Sequence, residues 1–140
     1  VQDRFPYLKE ATFFKMNIIS EFQQVEISDI NFQFFNQNHG AMDSLGFRIG
    51  NFAYANDVIE FYPESEQYLD NLDILVVDCL APKSTQTHAG LDKVMEWYHK
   101  FQPKQIFLTN MSHSIGYFEI MNSLPQNIRP LYDRQIIIIA

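Results

Sequence analysis

The chain has 140 residues and a mass of 16.5 kDa, which predicts one domain over residues 1–140 with a single moderate hydrophobic core. With 46% hydrophobic and 19% charged residues, the composition is typical of a globular protein. The formal net charge of −7 argues against nucleic-acid binding, because such binding needs Lys and Arg to neutralise phosphates. A small phosphorylated substrate is not excluded.

Two features of the sequence bear on its location. Cys79 is the only cysteine, so no intrachain disulfide can form. No apolar run reaches the roughly 18–20 residues that a membrane span requires, and the first residues contain no signal-peptide hydrophobic region. We therefore expect a cytoplasmic protein with no membrane partner and no nucleic-acid partner.

The first half of the chain is rich in segments typical of strands. Residues 11–20 are compatible with a strand or with a packed irregular segment. Residues 23–27 and 31–35 combine β-branched and aromatic residues, which predicts two strands. Residues 45–57 predict a hairpin, because apolar and polar residues alternate on both sides of the turn-forming pair Gly50–Asn51.

The second half alternates strands with helices. The predicted elements are, in chain order, a helix from Pro63 to Leu69, a strand over 73–80, a helix over 90–101, a strand over 104–110, a helix over 117–123 and a final strand over 135–140. The run over 73–80 is apolar almost throughout, as expected of a strand covered on both faces. The pattern predicts an α/β unit, β-rich at first and then β-α-β-α-β.

Polar side chains cluster after these strands. His39, His88 and His113 each lie in a loop after a strand or turn, while Asp57 and Asp78 end apolar strands. Imidazole and carboxylate suit zinc, manganese or iron and also serve in proton transfer, so His39, Asp57 and His88 are candidate metal ligands or acid–base groups. No pair has the short spacing of a strong metal motif. The alternative is a set of capping residues, with Asp78 as a structural hydrogen-bond acceptor.

Five segments taken in order resemble a known family. They are "NHGAMDSLGFRIGNFAYANDV", "LDILVVDCL", "THAGLDKVMEW", "KQIFLTNMSH" and "LPQNIRPLYDRQIII". Together they resemble the second half of a metallo-β-lactamase-fold hydrolase, in the branch of the phosphoribosyl cyclic phosphate phosphodiesterases. The resemblance implies an αββα sandwich of two similar halves. This chain would form the C-terminal half, a mixed sheet with helices packed on one face, without the N-terminal half and its H-x-H-x-D-H motif.

The resemblance also implies roles for particular residues. His39 in the "HG" loop and Asp57 in "YAND" would be metal ligands, and His88 in "THAGL" would be catalytic. The family pattern T-H-M-S-H places a further metal-binding histidine at position 110, where this chain has Asn110. His113 would be the substitute ligand at this degenerate position.

The family would use zinc or manganese to hydrolyse a small phosphoester. Because most of the metal ligands of the family are missing from this sequence, we expect a phosphodiesterase-like C-terminal fragment that is inactive alone. The alternative is a non-catalytic interaction module. Either hypothesis predicts pairing with a second copy, as a homo-oligomer, or with a separate N-terminal-half chain.

Overall fold

The computed structural model describes residues 17–139, so most of the segment over 11–20 lies outside the described residues. The strands are β1 (Gln24–Ile27), β2 (Ile30–His39), β3 (Met42–Ile49), β4 (Phe52–Ala55), β5 (Glu60–Phe61), β6 (Ile74–Asp78), β7 (Gln105–Thr109) and β8 (Ile128–Pro130). The helices are α1 (Leu91–Phe101) and α2 (Tyr117–Ser123). The predicted hairpin, both later helices and the two buried strands are therefore confirmed.

All eight strands belong to one mixed sheet with the order β1-β2-β3-β4-β6-β7-β8, and β5 pairs with β2 off this path. The pairs from β1 to β4 are antiparallel. The pairs β4–β6, β6–β7 and β7–β8 are parallel. The sheet thus has an antiparallel region built from local hairpins and a parallel region that needs helical connections.

In the antiparallel region, the two faces of the sheet carry different side chains. Phe35 of β2 is fully buried and belongs to the main core, whereas its neighbour Phe34 points to the other face. On that second face Phe34 lies opposite Phe47, and Phe47 lies opposite Tyr54. The rings of Phe47 and Tyr54 stack at 5.4 Å, so a row of half-buried aromatic side chains crosses these strands.

The parallel region and both helices share one hydrophobic core. Helix α1 buries Val94, Trp97 and Phe101, and α2 buries Ile120 in the same cluster. The Trp97 ring lies 4.5 Å from that of Phe61. Both helices therefore cover the same face of the sheet, as the resemblance implied, and the protein is an α/β fold with a mixed sheet.

The final strand predicted over 135–140 is wrong for the residues that the structure describes. The last strand is β8, which pairs with β7, and residues 135–139 have no strand partner within the described chain. Ile136 and Ile138 are 86% and 87% exposed. Four isoleucines favour a strand, but a strand forms only where an edge is available, and β8 already occupies the edge beside β7.

The helix predicted from Pro63 to Leu69 is a single 3₁₀ turn, Glu66–Leu69, so it ends where expected but starts later. Within residues 17–139, no helix has both the length and the apolar character needed to cross a membrane. The cytoplasmic location stays a prediction.

Candidate metal centre

The site lies where several strands end at the same edge of the sheet. Strand β2 is antiparallel to β3, and β3 is antiparallel to β4, so β2 runs in the same direction as the parallel strands β4, β6 and β7. Their carboxyl ends therefore meet at one edge, which is where open α/β sheets bind ligands. The residues at these ends are His39 on β2, Asp57 just after β4, Asp78 on β6 and Asn110 just after β7.

Three metal-binding side chains converge at this edge. His39, Asp57 and His88 each offer one ligand atom, and these atoms lie within 4.8 Å of one another. The rings of His39 and His88 meet edge to face, with their centroids 4.7 Å apart. The Asp57 side chain is half-exposed, so its carboxylate is open to a ligand. The end of β2, the segment after β4 and the loop before α1 thus bring together three residues that the sequence indicated.

A hydrogen bond fixes the orientation of His39. Its Nδ1 lies 2.8 Å from the backbone oxygen of Thr87, and because a carbonyl oxygen only accepts, Nδ1 carries the proton and Nε2 keeps a free lone pair. The next residue, Gly40, has a φ of +77°, and a Cβ at this position would lie 2.7 Å from Cγ2 of Thr87. Only glycine allows the β2–β3 turn to approach Thr87 this closely.

His88 is held by a buried carboxylate. Its Nδ1 lies 2.7 Å from Oδ2 of Asp78, a side chain with no solvent exposure. Asp78 also accepts hydrogen bonds from the backbone N–H of Val58, at 3.2 Å, and from the amide Nδ2 of Asn110, at 3.2 Å. Both carboxylate oxygens of Asp78 therefore have hydrogen-bond partners. The same Nδ1 of His88 lies 3.9 Å from Oδ1 of Asp57, so Asp78 holds the His88 ring beside that carboxylate.

Burial shapes the titration of two neighbouring groups at the end of β6. It raises the pKa of the Asp78 carboxyl above its usual value, although the hydrogen bond with His88 acts in the opposite direction. It also raises the pKa of the adjacent Cys79 thiol to about 12. Cys79 is therefore a protonated core side chain rather than a nucleophile, as its position after an apolar strand indicated.

Of the last two candidate ligands, Asn110 lies beside the three-residue group and His113 lies outside it. Asn110 donates its amide to Asp78, with a backbone φ of +59°, so its nitrogen is engaged within the protein. His113 is exposed in the loop after β7, and the cluster of metal-binding side chains found among the described residues does not include it. The expectation that His113 substitutes for the missing histidine has no support in this arrangement.

The donor set fits part of a divalent metal site. Two neutral imidazole nitrogens and a carboxylate are the ligands that zinc, manganese and iron accept in hydrolases. The hydrogen bond from His39 to Thr87 is the kind of partner that orients a metal-binding histidine. His39 and Asp57 would hold the metal, with His88 beside it.

Asp78 is a structural hydrogen-bond acceptor, as the alternative interpretation of the strand-end acids predicted. It connects His88, Val58 and Asn110. The partners Val58 and Asn110 lie 20 and 32 residues away in sequence, so no local spacing could reveal them. The available signal was a lone acid that ends an otherwise apolar strand.

The fold and this site define a metallo-β-lactamase-like domain. The sequence model of a protein family described as "Beta-lactamase superfamily domain" matches residues 1–111, and the chain belongs to this family. Comparison with curated protein sequences gives no match.

Solved structures share the fold. A diphosphatase from the PhnP family is 27% identical with a TM-score of 0.86, and the match covers 94% of this chain and 51% of that protein. The metallo-β-lactamase fold protein YhfI from Bacillus subtilis is 12% identical with a TM-score of 0.68, covering 93% of this chain and 59% of YhfI. Human tRNase Z, short form, is 14% identical with a TM-score of 0.64, and the match covers 83% of this chain and 46% of that protein. The chain thus spans about half the length of the diphosphatase.

Proposed function

We propose that this chain supplies the C-terminal part of the centre of a metal-dependent, phosphodiesterase-like hydrolase and has no turnover by itself. The observation that carries the proposal is the convergence of His39, Asp57 and His88 within 4.8 Å at the edge where the strands end. The 27% identity to a PhnP-family diphosphatase supports a small phosphoester substrate. Zinc or manganese suits the donor set best.

The number of ligands supports the lack of turnover by the chain alone. A catalytic zinc site needs three protein ligands and an open position for water. If His88 serves in proton transfer, only His39 and Asp57 remain as strong ligands, and the sequence contains no H-x-H-x-D-H motif. Asn110 offers at most a neutral amide oxygen, which binds zinc weakly compared with imidazole. The remaining ligands would come from an N-terminal half.

His88 is the residue best placed to move a proton. Its Nδ1 donates to Oδ2 of Asp78, 2.7 Å away, which fixes the ring and leaves Nε2 to give or take a proton at the substrate. Asp78 itself is fully buried and acts only through His88, so it is a positioning residue. When bound, the metal would supply Lewis-acid activation of water and of the phosphoester.

The first test measures metal affinity. Zn²⁺ and Mn²⁺ binding to the full chain should be weak, and His39→Ala should lower it by at least about tenfold, the order of loss seen when metal sites lose a supporting partner. His99→Ala is the matched control, because His99 is exposed on α1 and outside the cluster. Equal losses in the two variants would remove His39 from the centre.

The second test measures hydrolysis of bis-p-nitrophenyl phosphate with the same samples. The chain alone should show no turnover with either metal. Turnover by the unmodified chain with one or two tightly bound metals would overturn the proposal of an inactive half.

A third test uses the variant Asn110→His. It should raise metal affinity by restoring an imidazole beside His39 and Asp57. An unchanged affinity in this variant would argue against Asp57 and His39 as ligands.

A second candidate function is that of a non-catalytic interaction module that pairs with a second copy or with an N-terminal-half chain. The aromatic row at Phe34, Phe47 and Tyr54 and the exposed Ile136 and Ile138 favour it, since apolar side chains at a surface mark contact sites. The molar mass in solution tests self-pairing. A mass equal to one chain would contradict the homo-oligomer.

A further inference from the structure

A cavity of about 360 Å³ lies beside the candidate metal centre, where β7 and β8 end. Its volume is within the range of small-molecule sites. The lining residues are Leu108, Thr109, Asn110, Met111, Leu131, Tyr132 and Asp133. Asn110 belongs both to this wall and to the centre, since its amide Nδ2 lies 3.4 Å from Nδ1 of His88. The cavity therefore begins next to the residue proposed to move a proton.

The two walls of the cavity are joined and shaped by the backbone. The N–H of Leu131 donates to the oxygen of Leu108 at 2.9 Å, which attaches the segment after β8 to the floor formed by β7. The chain then turns, with the N–H of Gln135 donating to the oxygen of Tyr132 at 3.1 Å. The third residue of this turn, Arg134, has a φ of +68°.

The lining side chains match the parts of a nucleoside. Tyr132 is 60% exposed, so its ring is free to stack on a base. Asp133 follows it on the same wall, and a carboxylate is the group that commonly accepts hydrogen bonds from ribose hydroxyls. Among the apolar lining residues, Met111 is half-buried, whereas Leu108 is fully buried in the core. A sugar phosphate without a base would leave the Tyr132 ring without a contact.

We propose that this cavity is a nucleoside-binding subsite, with the base on Tyr132 and the ribose at Asp133. A nucleoside held in this way would direct its 5′ end along the wall toward Asn110 and His88. The substrate would then be a nucleoside phosphoester, and this extension rests on the hydrolase function proposed above. Binding of the nucleoside itself does not depend on it.

The experiment titrates the ¹⁵N-labelled full chain, without metal, with adenosine, adenosine 5′-monophosphate and ribose 5-phosphate, following amide shifts by NMR. Adenosine and its monophosphate should bind with a millimolar Kd and shift amides at 108–111 and 131–133. Absence of saturable shifts up to about 10 mM adenosine, a binding energy near 3 kcal/mol, would overturn the subsite. Equal binding of ribose 5-phosphate and the monophosphate would overturn base recognition.

Variants test the named side chains. Tyr132→Ala should weaken adenosine binding at least about fivefold, the lower end of measured base-stacking effects, while Tyr132→Phe should retain it. Phe118→Ala is the matched control, because Phe118 is also an exposed aromatic residue, at 78%, but lies outside the cavity lining. Similar losses in Tyr132→Ala and Phe118→Ala would contradict the proposal.

Asp133→Asn provides a second variant that does not depend on the fold tolerating loss of a ring. It should weaken binding of adenosine while leaving binding of 2′,3′-dideoxyadenosine unchanged, since only adenosine presents the ribose hydroxyls. Equal effects on the two ligands would exclude Asp133 as the ribose acceptor. Failure of the hydrolase proposal would appear as absent metal binding with adenosine binding intact, so the two outcomes are separable.

Discussion

The antiparallel and parallel regions of the sheet contribute to the candidate centre in different ways. The antiparallel region supplies His39 and carries the chain to Asp57, and both side chains are partly exposed. The parallel region supplies the fully buried Asp78, which holds His88 and Asn110. The exposed side chains are suited to bind a ligand, whereas the buried one orients its neighbours. The comparison indicates that the parallel region supplies the rigidity of the site.

The largest expected effect is the loss of the buried carboxylate. Asp78→Ala removes the acceptor for three donors and should lower the free energy of unfolding by about 3–5 kcal/mol, because buried groups left unpaired are costly. Urea unfolding monitored by circular dichroism measures this change. Asp43→Ala in the antiparallel region is the matched control, because its exposed carboxylate also accepts two side-chain hydrogen bonds. If both variants lost equal stability, the contrast between the regions would fail.

Substitution of a glycine should also cost more stability in the parallel region than in the antiparallel region. A methyl group at Gly90, before α1, would lie 2.4 Å from the carbonyl carbon of Lys83 and 2.5 Å from the nitrogen of Ser84. Because backbone atoms cannot move aside easily, Gly90→Ala should destabilise the protein by about 2–3 kcal/mol. Gly50 in the β3–β4 turn has open space but a φ of +53°, so Gly50→Ala should lose only about 1 kcal/mol. Thermal unfolding ranks the two; the reverse order would contradict the packing argument.

The smallest expected effect concerns a turn at the end of the parallel region. Arg134 has a φ of +68°. In the antiparallel region, a turn with a similar positive φ is occupied by Gly50. Arg134→Gly should therefore raise the free energy of unfolding by about 0.5–1 kcal/mol. Gln135→Gly, at the next residue, is the control and should lower it, because its φ is not among the positive values. Loss of stability in both variants would show that Arg134 makes a compensating contact.

The sequence predicted the elements whose signals are local. The hairpin around Gly50 and the helix over 90–101 depend on residues that are close in sequence, so both could be predicted directly. Strand β8 was not predicted because it has only three residues, one of them Pro130, which is too short for an alternation of apolar and polar residues to be recognised. The isoleucine-rich end was assigned to a strand because propensity does not say whether a sheet edge is free.

For the site, the residue types and the family pattern indicated His39, Asp57 and His88, and the structure brings these three together. The partners of Asp78 could not be predicted, because they depend on how the loops after β4, β6 and β7 meet. The same is true of the cavity at Tyr132, which forms only when the segment after β8 pairs with Leu108. Contacts between distant segments are set by the three-dimensional packing rather than by any local sequence pattern.

The hydrogen bonds of Asp78 have a consequence for how the centre unfolds. One carboxylate binds three separate segments, through Val58, His88 and Asn110, so opening any of them leaves a buried charge short of partners. Such segments do not fluctuate independently; they form a single cooperative unit for local unfolding. We therefore expect hydrogen exchange of the Val58 amide to report the integrity of the whole centre, although Val58 itself is not one of its candidate ligands.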